Sequence, residues 1–266
     1  MSQRFSASLS TVFDIHWNSF PIMIGPLILN LFDQENIHNL PRNLLDVCCG
    51  TGYLGKFFLE SGFTVTGIDL SEEAIRLAKL KTKSSGSPAH WIVGDASNFN
   101  TLQKYGIATS TFDSLNYLED VKALTNCIGC ISSHLVDNGL FVCDLFTAMG
   151  MRTLNSISID EREDSLTIIR GFFNQNDAYA FLSFSGFIRN STDSYTRFGQ
   201  VLKLSVYKIE AIKNILEEHD FKDIRYYKIS SKELIQIEDP ESLERVVITA
   251  SKDKSRNSSL SQSAKP

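Results

Sequence analysis

Basic charge is scarce in this 266-residue sequence: 26 Lys and Arg stand against 31 Asp and Glu, a net charge of −5. A nucleic-acid reader needs a basic face to meet phosphates, and this balance leaves room only for a local patch. Long apolar runs are missing too. The longest near the start, Phe20 to Leu29, is interrupted by Pro21 and Pro26 and is too short to span a bilayer. No basic stretch and small-residue cleavage site surround it, so a secretory signal is not expected. The five cysteines are odd in number and irregularly spaced, which suits a reducing cytoplasm better than a disulfide framework. What is present is 42% apolar and 21% charged residues, the make-up of an ordinary globular chain large enough to bury a core.

Residues 1–10 are polar and read as mobile. From Thr11 the residues Val12, Phe13, Ile15 and Trp17 lead into a helix over about 20–32, closed by Asp33-Gln34-Glu35-Asn36. Strands follow at 42–48, 64–68, 89–93, 107–112 and 140–145, separated by helices at 53–61, 71–83 and 120–135. Gly62 ends the first of these helices, and Ser71-Glu72-Glu73 caps the second and charges its first turn. Strands alternating with helices at this spacing predict a mostly parallel, Rossmann-like α/β sheet of seven strands with helices on both faces.

The pattern changes after the fifth strand. Three β-rich runs, 165–173, 178–188 and 195–207, are separated by polar turns and predict an antiparallel insert. A helix at 209–219 and strands at 221–227 and 245–249 complete the sheet. The organisation expected is a helical cap (1–40), a nucleotide-binding core (41–150), a β insert serving as substrate lid (151–207), a segment completing the core (208–250) and a disordered tail (251–266).

The chain's central stretch is Leu44-Leu45-Asp46-Val47-Cys48-Cys49-Gly50-Thr51-Gly52-Tyr53. A strand runs into a carboxylate, a small-residue loop and a helix N-terminus, which builds a nucleotide crevice. Gly50-x-Gly52-x-x-Gly55 matches the dinucleotide fingerprint, a weak signal by itself. Asp46 pulls the other way, because a carboxylate at the strand end repels phosphates and attracts a cationic amino group. Asp69 ends the second strand, placed for ribose hydroxyls. Asp95-Ala96 after the third strand offers an acceptor to an adenine amine. A ligand with an amino acid, a ribose and adenine but no phosphate fits all three, and that ligand is S-adenosylmethionine. Read blandly, Asp69 is a helix charge and Asp95 a turn former. Three such residues at successive strand ends argue for the ligand.

These residues carry a resemblance. The span from about Leu44 to Leu145 resembles a class I S-adenosylmethionine-dependent methyltransferase: Asp46 to Gly52 its glycine-rich first motif, Ile68-Asp69-Leu70-Ser71 its second, and Gly94-Asp95-Ala96 its third. Cys48 stands where glycine or alanine is usual. The resemblance implies cofactor contacts from Asp46, Cys48, Gly50, Gly52, Asp69, Leu70, Asp95, Ala96, Thr111 and Trp17. Arg4 is the candidate for the cation that holds the cofactor carboxylate.

On the acceptor side the chain reads Thr111-Phe112-Asp113-Ser114-Leu115-Asn116-Tyr117-Leu118. Methyltransferases acting on nucleobase amines carry Asn/Asp-Pro-Pro-Tyr/Phe there, and no proline lies between Pro88 and Pro240. The string instead resembles a group of bacterial small-molecule methyltransferases, many acting on amines, amino sugars or natural-product intermediates. Their N-terminal aromatic helix is matched by Phe13-Asp14-Ile15-His16-Trp17. Phe13 replaces the group's tyrosine, and Gln200 and Leu202 replace a Glu-x-His pair on the insert.

A neutral amine needs only positioning beside the methyl group, whereas a hydroxyl usually needs a base or a metal as well. Asp113 and Asn116 are the leading catalytic candidates, as acceptors that orient an amine, with helix capping as the plain alternative. His16 is the one histidine near the site. Phe13, Trp17, Tyr117, Phe146, Phe172 and Arg197 are candidates for the substrate wall, and most insert phenylalanines should be core. Cys127-x-x-Cys130 lies in a helix without a second ligand pair, so no metal site is expected. The reading is a cytoplasmic methyltransferase with S-adenosylmethionine as cofactor and a small-molecule acceptor, N-directed. No nucleic-acid or membrane partner is expected. O-methylation with His16 or Asp113 as base, cofactor binding without turnover, and a dinucleotide enzyme remain as rivals.

Overall fold

The computed structural model describes residues 4–35 and 39–254. Two helices open the chain, α1 (Ala7–His16) and α2 (Ser19–Glu35). Five strands and three helices follow: β1 (Asn43–Val47), α3 (Tyr53–Glu60), β2 (Thr64–Asp69), α4 (Glu72–Lys81), β3 (Ala89–Val93), β4 (Tyr105–Ser110), α5 (Val121–His134) and β5 (Leu135–Phe146). A short helix α6 (Ala148–Thr153) leads to the insert strands β6 (Ile157–Glu161), β7 (Ser165–Phe173), β8 (Tyr179–Ser191) and β9 (Ser194–Ser205). The chain finishes with α7 (Ile209–Glu218), β10 (Phe221–Ser230), β11 (Glu233–Ile237) and β12 (Arg245–Lys252).

The main sheet has the order β11-β10-β12-β5-β4-β1-β2-β3. Its β1–β5 half is parallel, while β12 pairs antiparallel with β5, β10 with β12 and β11 with β10. The direction of winding reverses between β1 and β4, whose carboxyl ends therefore open the crevice where such sheets bind ligands. One face is covered by α5 and α7 through Leu124, Ile128, Ile131, Ile212 and Leu216. The other is covered by α2, α3 and α4 through Ile28, Phe32, Leu54, Phe58 and Ile75. Starts follow the expected chemistry: Ser6, Ser71 and Asp120 side chains cap α1, α4 and α5.

The insert is a separate four-stranded antiparallel sheet, β6-β7-β8-β9. Its inner face carries Phe173, Phe184, Phe198 and Leu202, which pack on Leu9 and Val12 of α1. The N-terminal helix is thus the floor on which the insert rests.

The strand counts differ from expectation. The main sheet has eight strands, because Glu233–Ile237 folds back as an edge strand on β10. The insert has four, because Ile157–Glu161 pairs with β7. Residues 7–10, read as mobile, lie in α1 with Leu9 and Ser10 buried. The expected tail begins too early: Ser251 and Lys252 belong to β12, and Lys252 is buried, donating to Ser132 Oγ at 2.7 Å. Residues 1–3, Asn36 of the helix-closing run and 255–266 of the tail lie outside the described residues. Among the described residues no single helix is long and apolar enough to cross a membrane.

Candidate functional site

The β1–α3 loop takes a left-handed backbone three times, at Cys48 (φ 60°), Gly50 (φ 52°) and Gly52 (φ 80°). At Gly52 the need is steric as well, since a Cβ there would lie 2.7 Å from Ala78 Cβ. The coil brings the loop against the end of β2. Asp69 holds it by accepting Gly50 N–H at 2.9 Å on one carboxylate oxygen and Ser71 N–H at 2.8 Å on the other.

A cavity of about 470 Å³ opens over these strand ends. Asp46, Cys48, Gly50, Asp69, Leu70 and Thr111 line it, with Ser10 and Ser71 beside them. Asp46 is 2% exposed; its Oδ1 accepts from Thr109 Oγ1 at 2.9 Å, and its Oδ2 is buried without a partner. Burial, reinforced by the charge of Asp69, pushes its carboxyl up to about 7. An orphaned, desolvated carboxylate oxygen at a cavity wall is the group a ligand's ammonium would satisfy. That fits the amino-acid end of S-adenosylmethionine. The Cys48 and Cys49 thiols are pushed up by burial, so neither is a thiolate.

The acceptor side is built from the β4 exit, the end of β5 and the start of β12. Phe112 (φ 63°) and Asp113 (φ 50°) are successive left-handed residues, each costing about 1–2 kcal/mol outside glycine. Asp144, fully buried in β5, offsets this by accepting Phe112 N–H at 2.6 Å and Asp113 N–H at 3.0 Å. Arg245 at the start of β12 pairs with both acids, reaching Asp113 Oδ1 at 2.8 Å and Asp144 with its other terminal nitrogen. Its guanidinium also lies 4.3 Å from the Phe146 ring centre and 4.6 Å from that of Phe20. Burial opposes the Arg245 charge, but Asp113 and Asp144 override it and raise its pKa above the usual value. Burial pushes Asp113 up to about 6, against the pull of Arg245. Tyr117 hydrogen-bonds Asp113, and burial raises its hydroxyl well above the ordinary tyrosine range.

The remaining wall is aromatic. Phe13 and Trp17 meet edge-on with ring centres 4.8 Å apart, and Phe184 of the insert lies 5.8 Å from Trp17. Trp17 Nε1 donates to Asp160 at 3.1 Å, tying α1 to β6.

Of the residues singled out from sequence, the cavity gathers Asp46, Cys48, Gly50, Asp69, Leu70, Thr111, Phe13, Trp17, Asp113, Tyr117 and Phe146. Gly52 shapes the loop from behind. The others stand elsewhere. Asn116 is wholly buried, bonding Phe146 N–H and the carbonyls of Phe146 and Ser205, so it splices β5 to β9. His16 sits 2.7 Å from Ser165 Oγ and 3.3 Å from Asp164, anchoring β7 away from the cavity. Asp95 accepts from Ser97 as a turn former, and Ala96 packs in the core. Phe172 is 62% exposed, and Arg197 is exposed. Arg4 pairs with Glu72 at 3.1 Å. The capping reading of Asp113 fails: its side chain makes no cap hydrogen bond and instead pairs with Arg245 at the cavity wall.

Arg245 and Asp144 were missed. A lone arginine opening the apolar run Val246-Val247-Ile248 and a lone aspartate inside Cys143-Asp144-Leu145-Phe146 were the available signals.

Comparison with known proteins finds likenesses to methyltransferases. Residues 44–139 match the family described as "Methyltransferase domain". A putative methyltransferase of Bacillus subtilis, YqeM, is 26% identical over 181 residues, covering 67% of this chain and 72% of that protein. Among solved structures, an S-adenosylmethionine-dependent methyltransferase from Clostridium acetobutylicum superposes with a TM-score of 0.79 at 23% identity, covering 93% of this chain and 98% of that one. The sugar N-methyltransferase KedS8 from Streptoalloteichus superposes at 0.70 with 17% identity, covering 88% of each chain.

Proposed function

We propose that this S-adenosylmethionine-dependent methyltransferase delivers its methyl group to the nitrogen of a small-molecule amine. Residues 44–139 are its methyltransferase domain. The observation that carries the acceptor class is the charge of the cavity wall. Among the described residues it holds three carboxylates, Asp46, Asp69 and Asp113, and one cation, Arg245, already shared between Asp113 and Asp144. Such a wall disfavours a carboxylate or phosphate acceptor and favours an amine, which approaches as a cation and reacts as a neutral base. The cavity volume of about 470 Å³ lies in the roughly 300–1,000 Å³ range of small-molecule sites. That the same fold serves a sugar N-methyltransferase supports the reading.

Bound here, S-adenosylmethionine supplies a methyl carbon made electrophilic by its sulfonium. Asp46 accepts the cofactor's ammonium, and Asp69, its orientation fixed by two backbone N–H groups, accepts from the ribose hydroxyls. Asp113 accepts an N–H of the amine, turning the nitrogen lone pair toward the methyl. The cofactor would supply the methyl and keep the C–S electron pair on sulfur, and Asp113 would take the surplus proton of the methylated nitrogen and pass it to solvent. Phe13, Trp17, Phe146 and Phe184 exclude water. Orientation alone can be worth roughly 7–11 kcal/mol, so no histidine base is required.

Incubation of the protein with methyl-labelled cofactor and a small-molecule cell extract tests this. Label should enter a product that binds a cation exchanger at neutral pH. Label recovered only in neutral or anionic products overturns the amine reading.

A further inference from the structure

We propose that Arg245 is a positioning residue for methyl transfer: it locks the Phe112–Asp113 turn through Asp144 so that Asp113 and Tyr117 face the acceptor as an ammonium-binding pair. This rests on the amine reading above and names the residue on which it depends. Three observations carry it.

The first is commitment of the guanidinium. One terminal nitrogen reaches Asp113 Oδ1 at 2.8 Å, the other reaches Asp144, and the rings of Phe20 and Phe146 lie within 4.6 Å of its carbon. Arg245 lines the cavity with both terminal nitrogens spent on protein carboxylates, so it acts on them rather than on a ligand anion.

The second is geometry of the backbone. Phe112 and Asp113 both have positive φ, and both of their N–H groups donate to Asp144. Arg245, on β12, anchors Asp144 at Oδ2, the oxygen that also accepts Asp113 N–H. Losing it loosens the turn that aims Asp113 at the cavity.

The third is charge. The groups facing Asp113 are Arg245 from β12, Asp144 from β5 and Tyr117 from the turn Ser114–Tyr117. Two carboxylates against one guanidinium leave a surplus negative charge on the cavity side, matched by an ammonium. Arg245 opposes the burial that drives Asp113 toward its neutral form, so removing it protonates the group that should receive the amine.

The test uses the full chain saturated with S-adenosylhomocysteine. Carboxyl carbon NMR titration, with Asp113→Asn to assign the signal, follows the ionisation of Asp113. In Arg245→Gln its midpoint should rise by roughly 1–3 pH units. Benzylammonium, benzyl alcohol and benzoate, read by tryptophan fluorescence, probe the acceptor pocket. Wild type should bind benzylammonium best. Arg245→Gln should weaken that binding on the order of 10-fold at pH 7 and regain it at higher pH, with S-adenosylhomocysteine affinity within about 2-fold of wild type.

An unmoved Asp113 midpoint, or equal pH-independent losses for benzylammonium and S-adenosylhomocysteine, overturns the positioning role. Should Arg245→Gln not fold, Arg245→Lys decides. It keeps the charge without the fork, and should bind benzylammonium more weakly than wild type while leaving the Asp113 midpoint close to it; full equivalence to wild type overturns the proposal. Wild type preferring benzoate to benzylammonium sinks the amine reading, while the carboxyl titration still judges Arg245 separately.

Discussion

Asp46 is the residue whose chemistry reports most directly on the cofactor. Its carboxyl is pushed from 3.8 up to about 7, chiefly by burial. The folded chain without ligand therefore holds a proton between those pH values that the unfolded chain has released. That part of the stability is present at acid pH and declines as pH rises from about 4 to 7. Ligand binding runs the opposite way, because an ammonium beside Asp46 Oδ2 favours the ionised form. S-adenosylhomocysteine affinity should rise toward pH 7, by up to about tenfold per unit, and level off above it. Asp46→Asn should flatten that profile, and calorimetry from pH 5.5 to 8.5 reads both. At Asp69, replacement by Ala removes the acceptor for Gly50 and Ser71 N–H groups as well as the expected ribose contact. Affinity should fall on the order of 10- to 100-fold by the same measurement, and an unchanged dissociation constant removes the ribose role.

At the scale of elements, the N-terminal helix and the insert depend on each other. Gln200 donates to the Arg4 carbonyl at 2.7 Å and accepts Ser6 N–H at 2.8 Å, so the neutral residue standing in place of an acid clasps the segment that leads into α1. The same segment is held at the cofactor end by Ser71, whose hydroxyl donates to the Phe5 carbonyl and lies 3.0 Å from Ser10 Oγ. Gln200→Ala should weaken the clasp by about 1–3 kcal/mol. Hydrogen exchange should then quicken across α1 and stay unchanged in β1 and β4. Uniform protection in wild type and variant contradicts the clasp. Element by element, the βα alternation was legible because buried parallel strands and capped helices leave strong patterns. β6 was not, because its apolar Ile157 and Ile159 point to solvent while Ser158 lines the cavity, the reverse of the usual alternation. β11 hid for a related reason, being five residues long and half exposed at a sheet edge.

For the molecule as a whole, the cavity-lining residues of one βαβ unit were legible, and the ion pair that holds Asp113 was not. Asp46, Gly50 and Asp69 lie within one βαβ unit, where local order specifies space. Arg245 meets Asp113 across 132 positions, through the antiparallel return of β12, which no local pattern announces. Asn116 and His16 misled because a polar residue near a site and a polar residue splicing two segments look alike in sequence. The end of β12 is structural too. Lys252 reaches Asp220 at 3.2 Å and Ser132 at 2.7 Å, so Lys252→Met should cost about 1–3 kcal/mol and lower the melting temperature by a few degrees. An unchanged melting curve contradicts that role.

The central claim is that an acidic, aromatic cavity directs the methyl group to nitrogen. The most direct measurement supplies carbon-13 methyl cofactor to the protein with a small-molecule extract from cells grown on nitrogen-15, and records the carbon spectrum of the product. A methyl signal split by one-bond coupling to nitrogen is the result predicted. An unsplit methyl signal in the product places the group on oxygen or carbon and contradicts the account.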